Sequence, residues 1–81
     1  MYQHISVVGM LVPHRAELGP QVQEILTRYG DSILNRAGLP DESKENGIIT
    51  LTLAADQARA DALAADLRRL PGVVAASLSL R

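Results

Sequence analysis

The chain has no cysteine, no phenylalanine and no tryptophan, and only two tyrosines. Without thiols there are no disulfides, zinc–thiolate sites, iron–sulfur ligation or thiol catalysis. Cysteine-free composition fits a reducing compartment, and a cytoplasmic protein is expected. Scarce aromatics count against modules that bind RNA by stacking bases. Neither sign of charge dominates: eight basic residues stand against nine acidic ones, for a net charge of −1. That balance argues against non-specific nucleic-acid binding, which rests on neutralising phosphates. A long hydrophobic run is also missing. The start, "MYQHISVVGMLV", lacks the basic stretch of a signal peptide. Its apolar part falls well short of the roughly 20 residues of a membrane helix. No membrane segment and no processing are expected.

What is present is enough for one domain spanning residues 1–81. A domain of this size buries only about 60–65% of the surface that its unfolded chain exposes. Its core therefore contributes roughly a few kcal/mol of net stability, and association between copies is a common supplement.

The pattern reads βαββαβ. Gln3 to Val12 is apolar and β-branched. It begins as an alternation, His4 and Ser6 against Ile5 and Val7, and becomes apolar on both parities, as in a strand covered on both faces. Pro13 ends it. Leu18, Val22, Ile25, Leu26 and Tyr29 then recur at helical spacing, with Pro20 expected in the first turn and Gly30 as the stop. Ser32 to Leu39 forms a second strand. Pro40 to Gly47 is charged and turn-rich, and reads as a mobile loop. Ile48 to Ala54 is the plainest strand. Asp56 is positioned to cap a helix with the stripe Ala60, Leu63, Ala64, Leu67 and Leu70, which Pro71-Gly72 closes. Val73 to Leu80 is the last strand.

This order predicts an α+β, ferredoxin-like fold: a four-stranded antiparallel sheet with strands 1 and 3 central and two helices on one face. Whichever strand parity meets the helices, the other remains largely apolar. Such a face is seldom left bare on a monomer, so a homo-oligomer, dimer or tetramer, is expected through the sheet face or an edge strand.

Topology brings the C-terminal ends of strands 1 and 2 to one end of the sheet, where helix 1 also begins. Arg15, Arg36 and the free N–H groups of that helix start form a candidate anion or carboxylate site. The competing reading leaves Asn35 and Arg36 on an edge strand, where charge discourages aggregation. His4 and His14 lie about 33 Å apart along an extended strand, so a shared metal needs a second chain or the loop carboxylates Asp41, Glu42 and Glu45. No Ser/His/Asp arrangement and no phosphate loop stand out. Arg15 and Asn35 loosely mimic the pair in small ferredoxin-like acyl-phosphate hydrolases, but the glycine-rich cradle is missing. A non-enzyme without a cofactor is expected.

Four segments carry a family resemblance: "ISVVGMLVPHR", "YGDSILNRAGLP", "GIITLTLAAD" and "LRRLPGV". Together they resemble the iron-only hydrogenase system regulators, over nearly the whole chain from Ile5 to about Val74. The resemblance implies an ACT-like domain, close in fold to the C-terminal domain of nickel-responsive repressors. It also implies a regulatory, ligand-responsive oligomer linked to hydrogenase assembly. ACT domains bind small molecules, often amino acids, between subunits near the turn from strand 1 to helix 1. On this chain that points to Gly9, His14, Arg15 and Arg36. Two alternatives stay open. One is a ligand-free protein–protein adaptor. The other is a metal-responsive, nickel-type sensor without its own DNA-binding segment, although the cysteine and the histidine spacing of the nickel repressors are not recreated. Asn35 stands where the family often has glycine before the arginine.

Overall fold

A computed structural model describes residues 2–81. Met1, which the one-domain expectation also spans, lies outside the described residues. The elements run β1 (Ser6–Val12), α1 (Arg15–Arg28), β2 (Ile33–Pro40), β3 (Gly47–Leu53), α2 (Gln57–Arg68) and β4 (Val74–Ser79). They form the expected ferredoxin-like α+β fold. The sheet order is β2-β3-β1-β4, and every neighbouring pair is antiparallel.

Parity decides the core. Ser6, Val8, Met10 and Val12 of β1 face the helices, with Leu51 and Leu53 of β3 and Ala75 of β4. Leu18, Val22, Ile25 and Leu26 of α1 and Ala60, Leu63, Ala64 and Leu67 of α2 complete it. The alternation at the start of β1 reads inverted here, because the polar parity points inward. Ser6 is fully buried and donates to the Ala55 carbonyl at 2.7 Å. A buried hydroxyl with a partner is tolerated where a bare one is costly.

Local chemistry accounts for the helix ends. Asp56 caps α2 by accepting the Arg59 N–H at 2.9 Å. Gly72, after α2, has φ +75, and a Cβ there would stand 3.0 Å from Pro13 Cγ. Glycine is required on both counts. Helix α1 begins earlier than Pro20 suggests. His14 adopts a left-handed conformation (φ 46) and its carbonyl accepts the Glu17 and Leu18 N–H groups. Pro20 is therefore an interior helix residue, outside the first turn, and leaves the Ala16 carbonyl without its intrahelical donor.

The segment between β2 and β3 is tied down, in contrast to the mobile loop expected. Asp41 accepts from Ser43 Oγ and Asn46 Nδ2 at 2.7 Å each, and its N–H donates to the Asn46 carbonyl. These donors, Ser43 first and then Asn46, hold the Asp41 carboxyl below its ordinary range. The Glu45 carbonyl then accepts the Arg15 N–H at 2.8 Å. The turn thus caps the start of α1, and most of the helix-start donors expected to be free for an anion are spent.

Candidate functional site

The two helices cover the sheet unequally. Helix α2 packs over β4 and β1, while α1 packs on β1 and stands off from β2 and β3. Between α1 and the β2–β3 half lies a half-open cleft of about 280 Å³. Its floor includes Gly38 and Ile49, paired across β2 and β3. Val12 and Val22 form apolar wall, and Gly19 faces the cleft from α1.

Arg15 and Arg36 both line this cleft. Arg36 faces the helices because it pairs with the buried Leu51. Its Nη1 donates to Gln23 Oε1 of α1 at 2.8 Å, which bridges the cleft at one end. At the other end Arg15 lies over Gly47, where a Cβ would be 3.6 Å from the Arg15 Cβ. Arg15 Nε donates to the Lys44 carbonyl at 3.0 Å. Each guanidinium is thus fixed by one neutral acceptor and keeps other N–H groups free. Among the described residues neither arginine pairs with a carboxylate, and none of those lining the cleft is acidic. The result is two positioned cations beside apolar wall with no carboxylate among the described cleft lining, although Glu17 and Glu45 lie beside Arg15 in the neighbouring depression.

The other two expected ligand residues sit elsewhere. His14 lines a second depression with Arg15, Glu17, Lys44 and Glu45 on the outside of the α1 start, so Arg15 borders both hollows. Gly9 is at the middle of β1, between Thr50 and Ala76. Its odd parity puts it on the sheet face opposite the helices. Asn35 pairs with Thr52 on that same uncovered face. Strand parity alone separates Asn35 from Arg36 and Gly9 from the cleft. His4 lies beside Ala54, Ala55 and Arg59, well apart from His14. Among the described residues no group of three His, Asp or Glu is placed to hold a metal ion, so the metal reading gains no support.

Gln23, Gly19 and Gly38 were not expected at the site. Gln23 carried no signal, since a polar helix residue reads as surface. The glycines did: each sits inside a helix or strand, where glycine costs roughly 0.5–1 kcal/mol relative to alanine. An interior glycine points to a bulge or to space kept open beside it. Here nothing lies within 4 Å of a Cβ at Gly19, and at Gly38 the nearest atoms are at 3.8 Å. Neither glycine is forced by packing, and both open the cleft.

A family model described as "Iron-only hydrogenase system regulator, putative", of the TM1266-like group, matches residues 4–77. The chain belongs to this TM1266-like family. The resemblance read from the sequence is thereby borne out. Among solved structures, the uncharacterized protein TM1266 from Thermotoga maritima superposes with a TM-score of 0.85 at 28% identity, covering 95% of this chain and 96% of that one. The C-terminal domain of the MgtC protein from Mycobacterium tuberculosis follows at TM-score 0.71 and 18% identity, covering 94% and 86%. A formyltetrahydrofolate deformylase from Burkholderia mallei matches at TM-score 0.63 and 16% identity, over 91% of this chain and 27% of that one. The last two show shared fold only. No curated protein matches the sequence. Every residue of the cleft in this TM1266-like chain falls inside the family match. Among the described residues no helix is long and apolar enough to cross a membrane.

Proposed function

We propose that this TM1266-like chain is a small, ligand-responsive regulatory module of the iron-only hydrogenase system, acting as a homo-oligomer without enzymatic activity. The observation that carries the ligand reading is the cleft that Arg15 and Arg36 both line, with no acidic residue among its described lining. Each arginine retains unused donors, and guanidinium groups suit carboxylates and phosphates through paired N–H···O bonds. A volume of about 280 Å³ lies at the low end for ligand pockets and suits a small organic anion. The hydrogenase link rests on family membership. The oligomer reading rests on the uncovered sheet face.

The test is a thermal-shift panel of small organic anions on the purified chain, repeated on Arg15→Ala and Arg36→Ala. A ligand present at a hundred times its dissociation constant adds about 2.7 kcal/mol. In a domain this small that raises the melting temperature by roughly ten degrees. Each substitution is expected to weaken binding about 10- to 100-fold, the usual scale for hydrogen bonds to a charged group. The unliganded melting temperature should change little, because both side chains are exposed. A panel without shifts, or arginine variants that bind as well as the parent, would discard the cleft as a ligand site.

A further inference from the structure

We infer that the cleft selects an elongated dianion, with an acidic group at each end and an apolar chain between, and rejects ligands carrying an ammonium group. This rests on the cleft being the ligand site. Two independent measures set its length. Along α1, Arg15 and Gln23 are eight residues apart, which is about 12 Å of helix rise. Gln23 holds Arg36, so this is the backbone separation between Arg15 and the residue that holds the Arg36 guanidinium. Along β2, Arg36 lies four residues before Pro40, about 13 Å of strand. Pro40 pairs with Gly47, the residue under Arg15. The two estimates agree, so the two arginine backbones stand at opposite ends of the cleft, and each guanidinium is held there by a different acceptor.

The middle of the cleft is apolar and deliberately narrow in side-chain content. Gly19 lies one turn beyond Arg15 on α1, and Gly38 lies two residues beyond Arg36 on β2. Both fall midway between the arginines, and both keep the passage clear. Val22 and Ile49 flank it. A hydrocarbon chain fits that passage, and a polar one would leave its hydrogen bonds unmade.

Charge fixes the rest of the ligand class. Two guanidinium groups without an internal carboxylate are neutralised by two negative charges, one at each end. Arg15 is anchored through Nε, which leaves the Nη1 and Nη2 donors for one acidic group. Arg36 is anchored through Nη1, which leaves the Nε and Nη2 edge for the other. A free amino acid would bring its ammonium group into a cleft whose described lining holds no acid, next to two cations. That disfavours it by like-charge repulsion.

Calorimetric titration of the purified chain with succinate, glutarate, adipate and pimelate tests this, with butyrate, hexanoate and glutamate as controls. The expected result is an affinity that peaks at one dicarboxylate length. It should exceed the monocarboxylate of equal length by at least tenfold, and glutamate should bind more weakly than glutarate. Arg15→Ala and Arg36→Ala should each reduce the best dicarboxylate to the level of a monocarboxylate. Gly38→Val should abolish binding while the protein keeps its fold, since valine suits a strand and its Cβ has ordinary contact distances. Gly19→Leu places a side chain in the same passage from α1 and serves if the strand variant misfolds. Monocarboxylates binding as tightly as dicarboxylates would overturn the dianion inference while leaving an anion cleft standing. Dicarboxylate binding that survives both glycine variants would also overturn it. No binding by either class, with arginine variants indistinguishable from the parent, would remove the cleft reading as well.

Discussion

Single residues carry much of the coupling between the helices. Tyr29, at the end of α1, donates its hydroxyl to Asp66 of α2 at 2.7 Å, and the Arg59 guanidinium stacks 4.9 Å from its ring centroid. Arg59 also reaches Ser32 Oγ at 2.8 Å and Asp31 at 3.0 Å. One side chain thereby ties α2 to the turn leading into β2. The hydrogen bond to Asp66, and secondarily burial, push the Tyr29 phenol above its ordinary value, while Arg59 and Arg28 pull weakly the other way. A pKa raised by folding means that the fold stabilises the protonated phenol. That stabilisation is complete below the ordinary tyrosine value of about 10 and is lost as pH rises through the raised one. In a Tyr2→Phe protein, Tyr29 is the sole phenol and its ionisation can be followed by absorbance. The midpoint should lie above the ordinary value, and Asp66→Asn should lower it. A midpoint at or below the ordinary value before that second change would mean the bond does not persist in solution.

At the scale of elements, the sequence was most legible where the signals are local. Helical spacing, the Asp56 cap and the Pro71-Gly72 stop lie within a few residues of the structure they determine, and α2 appears as read. Asp56→Ala should cost about 1 kcal/mol and lower the melting temperature by roughly 4–8 °C. Thermal unfolding followed by circular dichroism checks this, and an unchanged midpoint would show that the Arg59 N–H finds another acceptor. Legibility fell where an element depends on a distant partner. The start of α1 is fixed by the Glu45 carbonyl, thirty residues along the chain from Arg15, so Pro20 was a misleading guide to it. The same contact orders the charged turn, which composition alone marked as loose. The site follows this rule too. Arg15 and Arg36 were legible because topology brings the ends of β1 and β2 together. That Gly9 lies on the face away from the cleft was not legible, because its parity, set by which side the helices cover, is not visible in a strand apolar on both faces. Gln23 was missed because only the relative placement of α1 and β2 gives it a role.

For the whole molecule, one sheet face holds the helices and the other is bare. Leu11, Leu39, Ile48, Val74 and Leu78 are exposed on the bare side, Leu78 at 59%. Gly9, Asn35, Thr50 and Ala76 lie among them, and the strands place no charged residue there. A twofold interface sets a patch against its own copy. Any charge near the axis would then meet itself, so a neutral apolar face suits a second copy of this chain. Light scattering at micromolar concentration should therefore give a mass above that of the monomer. Leu78→Glu should reduce it to the monomer with unchanged far-ultraviolet circular dichroism, because the substitution puts a carboxylate on the bare face and leaves the core intact. A parent protein that is already monomeric would remove the assembly from the proposed function. The arginine pair of the ligand cleft would be unaffected, since Arg15, Gln23 and Arg36 lie on the helix side within one chain, although Leu39 and Ile48 belong both to the cleft lining and to the bare face.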